Sequence, residues 1–199
     1  TEDCDFVDLL WKEGADVTFK VGGETIAAHR WVLAARSLIL KAAAEAELLG
    51  MSEREKKKTP MATIRIDDME AKVFKALLHY IYTDSVPPML DVVMAGHLLV
   101  AADRYNIVRL KQICEEKLCN HIDSNMVATS LALAKQHGFR RLKQACLQFL
   151  ASPSNFDAMV ASDGFEHLLA SYGWSVVEEL RDRIIRLNSE KDIIMTFRK

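Results

Sequence analysis

Apolar residues along this chain keep two rhythms, one of strands and one of helices. Phe6, Leu9 and Leu10 stand at helical spacing over 5–11, so a short amphipathic helix is predicted there, stopped by Gly14. Val17, Phe19 and Val21 then alternate with Thr18 and Lys20, and Gly22-Gly23 supplies a turn into Glu24–His29, which predicts a β-hairpin. Trp31 to Leu40 reads as one helical face, and Lys41–Leu49 has high helix propensity throughout, ending at Gly50. The run Glu53–Lys58 is polar and closes in Thr59-Pro60, a solvated loop. Ile64-Arg65-Ile66 is a short strand. Asp67 and Glu70 form a capping-box pattern ahead of Val73, Phe74, Leu77, Leu78 and Ile81, a helix that ends around Tyr82-Thr83-Asp84, before Pro87-Pro88.

From Asp91 onward the pattern is helical and repeats itself. Arg109-Leu110-Lys111-Gln112-Ile113-Cys114 recurs 32 residues on as Arg141-Leu142-Lys143-Gln144-Ala145-Cys146, with Leu118 matching Leu150. Each copy is a helix-turn-helix unit. The turns before them, Tyr105-Asn106 and His137-Gly138, carry residues able to take the left-handed conformation that ends a helix, and a third such turn is read at Tyr172-Gly173. Pro153 marks the break before the last helices, which include Val176, Leu180, Ile184 and Ile185. Units of this kind bury their faces against neighbours, so a stack of antiparallel helices is expected in the second half.

Composition narrows the function classes. The chain has 199 residues, 50% hydrophobic and 27% charged, enough to bury an ordinary core. Its 26 basic and 28 acidic residues give a net charge of -2, with no basic excess to draw nucleic acid or a membrane surface. No apolar run approaches the roughly 20 residues that span a bilayer, and the start lacks the order of a secretion signal, so an intracellular setting, nucleus or cytoplasm, is expected. The absence of an initial Met is read as a sign of residues preceding Thr1. Lysines 56–58 invite a nuclear-import reading, but acidic residues interleave with them.

Few residues stand in patterns that carry chemistry. Four cysteines, Cys4, Cys114, Cys119 and Cys146, lie far apart and read as free thiols, Cys114 and Cys146 as small apolar residues on helix faces. Cys114, Cys119 and His121 are the one spacing that hints at zinc, yet a closed site needs four ligands. There is no G-x-S-x-G, no Gly-rich phosphate loop, no H-E-x-x-H and no G-x-G-x-x-G. Neither an enzyme nor a cofactor is expected.

Four blocks in order carry a family resemblance: Asp16–Gly22 (DVTFKVG), His29–Ser37 (HRWVLAARS), Phe74–Asp84 (FKALLHYIYTD) and Leu98–Tyr105 (LLVAADRY). They resemble a BTB/POZ domain, and the helices that follow resemble the 3-box or BACK-like extension of its adaptor members. The resemblance implies an α+β fold, a small β-sheet flanked by helices and helical hairpins, followed by an all-α extension. The division expected is 1–120 for the BTB/POZ domain, 121–187 for the extension and 188–199 for a tail. The wording is most similar to plant MATH-BTB proteins, grass forms included.

The same resemblance implies partners. BTB domains pair through their N-terminal helix, here Phe6, Leu9, Leu10 and Trp11, a helix too short to be stable alone, and a homodimer is expected in which like patches meet. The alternative is that this helix folds back on its own core. In related domains an acidic residue at the position of Asp16 and a basic one at that of Arg30 pair near the dimer centre. MATH-BTB proteins resemble substrate adaptors of cullin-three ubiquitin ligases: an upstream MATH domain, not included in these residues, holds the protein substrate, and BTB and 3-box hold the cullin N-terminal domain. The implied cullin contacts are Ala43, Ala44, Glu45 and Glu47, then Tyr82, Thr83 and Asp84, then the stretch from Asp123. Adaptors often place a hydrophobic anchor two positions before a Glu. This chain departs from that pattern, reading Ala43-Ala44-Glu45 without gaps, unless the stretch up to Leu48-Leu49 is an insertion of about one turn. Weaker cullin binding follows. The other function class is a BTB scaffold or transcriptional regulator recruiting corepressors; a channel-type tetramerisation domain fits the wording less well.

Overall fold

The computed structural model describes residues 13–51, 61–88 and 90–197. The helix read over 5–11, with Phe6, Leu9, Leu10 and Trp11, and the polar run 53–58 lie outside them.

The hairpin forms as its pattern dictates. Strands β1 (Val17–Val21) and β2 (Glu24–Ala28) pair antiparallel with Val21 opposite Glu24. Gly22 and Gly23 turn the chain at φ 54° and 83°, values that residues with a Cβ rarely adopt. Every second residue of β1 is fully buried. Strand β3 (Ala62–Ile66) joins the other edge of β1 in parallel register, giving the order β2-β1-β3. A parallel partner needs a crossover, supplied here by helices α1 (Arg30–Arg36) and α2 (Leu38–Gly50).

The single helix read from Trp31 to Leu40 is therefore two. Ser37 interrupts it with extended backbone: its hydroxyl accepts from the Leu40 amide at 3.2 Å and donates to the Tyr105 carbonyl at 2.7 Å. A serine is a preferred helix cap, and here a long-range bond holds it in that role.

Helix α3 (Ala71–Thr83) buries the face that its spacing picks out, with Phe74 against Phe19 at 4.8 Å between ring centres. The capping box does not form. Glu70 is itself the N-cap, its carboxylate pairing with Lys72 at 2.9 Å, while Asp67 pairs with Arg65 at 3.3 Å. Asp84 ends the helix in the left-handed region.

Next come α4 (Val92–Arg104) and α5 (Val108–Asn120), then α6 (Val127–His137), α7 (Arg140–Leu150), α8 (Pro153–Val160), α9 (Asp163–Tyr172) and α10 (Ser175–Phe197). The 32-residue repeat is structural: Leu110 and Leu142, Cys114 and Cys146, and Leu118 and Leu150 are all buried at matching positions on α5 and α7. Asn106 and Gly138 make the left-handed turns ahead of them. The expected tail is helical as far as Phe197, and no Gly or Pro falls between 188 and 197 to break α10.

By packing, the chain divides between Gln112 and Ile113, within α5, into two compact units. The first is the mixed unit built on the sheet. In the second, α6 packs on α7 and α9, and α10 packs on both of those. Glu179 of α10 accepts from Lys135 of α6 at 3.0 Å and from Lys143 of α7 at 3.2 Å, and the Tyr172 hydroxyl donates to the Ala132 carbonyl.

Candidate protein-binding site

Within the first unit, α1 and the last turn of α3 leave a groove of about 510 Å³ between them. Its walls are apolar, from Trp31, Val32, Ala35 and Ile81, and its polar groups stand at fixed points: His29 and Tyr82 along one side, the Arg36–Asp84 ion pair at the rim. A concave apolar surface with a few placed polar groups is the usual form of a binding site. Trp31 is 72% exposed and also lines a hollow of about 280 Å³ with Asp16, Arg30, Lys41, Ala44 and Glu45.

Two of the expected dimer residues meet in that hollow. The Arg30 amide donates to Asp16 Oδ1 at 2.8 Å and its guanidinium Nε to Oδ2 at 2.9 Å. Burial pushes the Asp16 carboxyl up, but these bonds and the charge of Arg30 outweigh it and hold the group below its ordinary value.

Three of the expected cullin residues border the groove. Tyr82 lines it, and burial raises its phenol, which stays protonated and able to donate. The Thr83 hydroxyl donates back to the His79 carbonyl at 2.7 Å, and the Asp84 carboxyl is held down by Arg36. On α2 the picture differs. Ala44 is 2% exposed and lines the hollow beside Trp31 rather than standing on open surface. One residue earlier Ala43 is half-buried, while Glu45 and Glu47 are exposed, Glu45 lying 3.9 Å from Lys41. Asp123, in the second unit, is exposed and acts locally. Its Oδ1 accepts from the amides of Asn125 and Met126 at 2.9 and 2.8 Å and starts α6.

The sequence pattern gives no sign of the groove or of the bond between His29 and Tyr82, 53 positions apart. Periodicity does not report such a pairing. Trp31 carries the one local signal, a large aromatic where the helix faces solvent.

Cys114 and Cys146 are fully buried, which pushes both thiols up to about 12 and leaves them inert. Among the described residues no group of three or more His, Cys, Asp or Glu is placed to hold a metal ion, and no helix is long and apolar enough to cross a membrane.

The family model of the BTB/POZ domain matches residues 7–122. The chain belongs to the BTB/POZ family. A second model, the BACK domain of BPM/SPOP, matches residues 126–181, so this BTB/POZ chain carries the helical extension of that branch. It is 43% identical over 175 residues to BTB/POZ and MATH domain-containing protein 3 of Arabidopsis thaliana, an alignment covering 82% of this chain and 41% of that protein. It is 42% identical over 171 residues to protein 4 of the same series, covering 79% and 34%. TD and POZ domain-containing protein 1 of Mus musculus is 35% identical over 144 residues, covering 71% and 37%. The chain thus spans about two fifths or less of the length of these relatives. Its α+β fold is the one expected of the BTB/POZ family, and its sequence is similar to those of the plant BTB/POZ and MATH domain-containing proteins.

Proposed function

We propose that the chain is a homodimeric, non-enzymatic interaction module that acts as substrate adaptor of a cullin-three RING ubiquitin ligase. The supporting observation is the combination of a BTB/POZ domain with a BPM/SPOP-type BACK domain, together with the similarity to relatives whose names include MATH. In this reading a MATH domain holds the protein substrate, residues 1–120 form the BTB/POZ domain, and 121–187 complete the cullin face. The contribution is positional: a substrate lysine is brought near a ligase-bound ubiquitin carrier. The setting is nucleus or cytoplasm.

The cullin contact runs along Ala43, Glu45 and Glu47, the groove-edge segment Tyr82–Asp84, and the stretch from Asp123. Ala43 offers no anchor, and truncating a buried anchor to Ala commonly costs about 2 kcal/mol, some tens-fold in affinity. Calorimetry with a cullin-three N-terminal domain tests this. Weak binding by the native chain, strengthened about tenfold or more by Ala43→Met, is the expected result. Tight nanomolar binding by the native chain refutes the anchor argument. Absence of binding by both favours a scaffold outside ubiquitin ligation.

A further inference from the structure

His29 occupies the N-cap of α1, yet its side chain makes no capping bond; Asp16 takes the Arg30 amide instead. Histidine is not among the preferred caps, so local helix stability does not account for it. Its ring nitrogens serve two distant points of the unit. Nε2 lies 2.8 Å from the Glu13 carbonyl, which only accepts, so Nε2 carries the proton and Nδ1 accepts from the Tyr82 hydroxyl at 2.9 Å. The Tyr82 oxygen in turn accepts the His29 amide at 2.9 Å. Gly14, at φ 74°, turns the chain so that the Glu13 carbonyl meets the ring. One side of this bridge is Glu13, two positions after the last residue of the proposed dimer segment; the other is Tyr82, the first residue of the segment Tyr82–Asp84.

We infer that His29 is a positioning residue that ties the segment leading into β1 to Tyr82, so that one side chain couples the proposed dimer arm to the proposed cullin contact. The coupling to the cullin rests on the adaptor reading. The bridge itself is a property of the fold. Its two halves can be cut separately. An Asn at 29 reaches the position of Nδ1 and keeps the Tyr82 bond, whereas a Gln reaches that of Nε2 and keeps the Glu13 bond.

The test uses the full chain and the variants His29→Asn, His29→Gln and Tyr82→Phe, each compared with native by thermal unfolding, amide hydrogen exchange and calorimetry against a cullin-three N-terminal domain. Tyr82→Phe speeds exchange at the amides of residues 14–16, across the ring from the mutation, about fivefold, and His29→Asn does likewise. Unchanged exchange there under Tyr82→Phe overturns the coupling, whether or not a cullin binds. For cullin affinity, His29→Asn, His29→Gln and Tyr82→Phe each weaken binding about tenfold, and His29→Gln with Tyr82→Phe weaken it together no more than singly. Additive losses, or losses that follow melting temperature equally in all three variants, overturn the positioning role. A native chain that does not bind the cullin domain overturns the adaptor reading, and the exchange result still decides the bridge.

Discussion

Single residues here show how much weight a local geometry carries. A Cβ built on Gly22 would stand 3.0 Å from the Ala71 amide nitrogen, and the backbone there is left-handed. Both the clash and the conformation oppose any side chain, so Gly22→Ala is expected to lower stability by about 1–3 kcal/mol in denaturant titration. Gly23, with nothing within 4 Å of its Cβ position, meets only the conformational cost. Titration gives a second residue-scale prediction. Asp16, Asp68, Glu70 and Asp84 are all held below the ordinary carboxylate range, the last three chiefly by hydrogen bonds from Arg104, Lys72 and Arg36. A carboxylate depressed in the folded state contributes stability above its unfolded value and loses it as pH falls through the folded one. Melting temperature is therefore expected to fall as pH drops below about 4, and Asp16→Asn to lower stability at neutral pH while flattening that decline.

Elements depend on partners that lie far off in sequence. The N-cap of α7 is Phe139, which has no capping group, and the Leu142 amide is instead satisfied by Glu115 Oε1 of α5 at 3.1 Å. A carboxylate at a helix N-terminus adds favourable charge to a needed acceptor. Glu115→Ala is expected to cost about 1–2 kcal/mol in thermal unfolding, and Glu115→Gln less, because the amide oxygen keeps the acceptor. The existence of α3, α5 and α7 was legible from apolar spacing, and the hairpin from Gly22-Gly23, since both signals are local. The break at Ser37 was not, because Ser37 is held by the Tyr105 carbonyl 68 positions away. Nor was the failed capping box, whose Asp67 and Glu70 both have basic neighbours within two residues to pair with instead.

At the scale of the whole molecule, the proposed dimer makes a direct prediction. Light scattering of the chain at micromolar concentration is expected to give twice the monomer mass of 22.5 kDa. Leu9→Asp with Leu10→Asp is expected to return it to monomer, because each buried charge would lack a partner. A monomer mass for the native chain rejects the dimer. By themselves the residues determined the family, the helical repeat and the strand pairing across Gly22-Gly23. All of these are written in short windows or in fixed spacings that a single chain displays. Only the tertiary structure decided that β3 runs parallel to β1, that Ala44 faces inward while Ala43 stays half-exposed, and that His29 joins Glu13 to Tyr82. Those outcomes depend on which side chains meet once α1, α2 and α3 pack around the sheet, and packing is set by the sum of many distant contacts rather than by any local pattern.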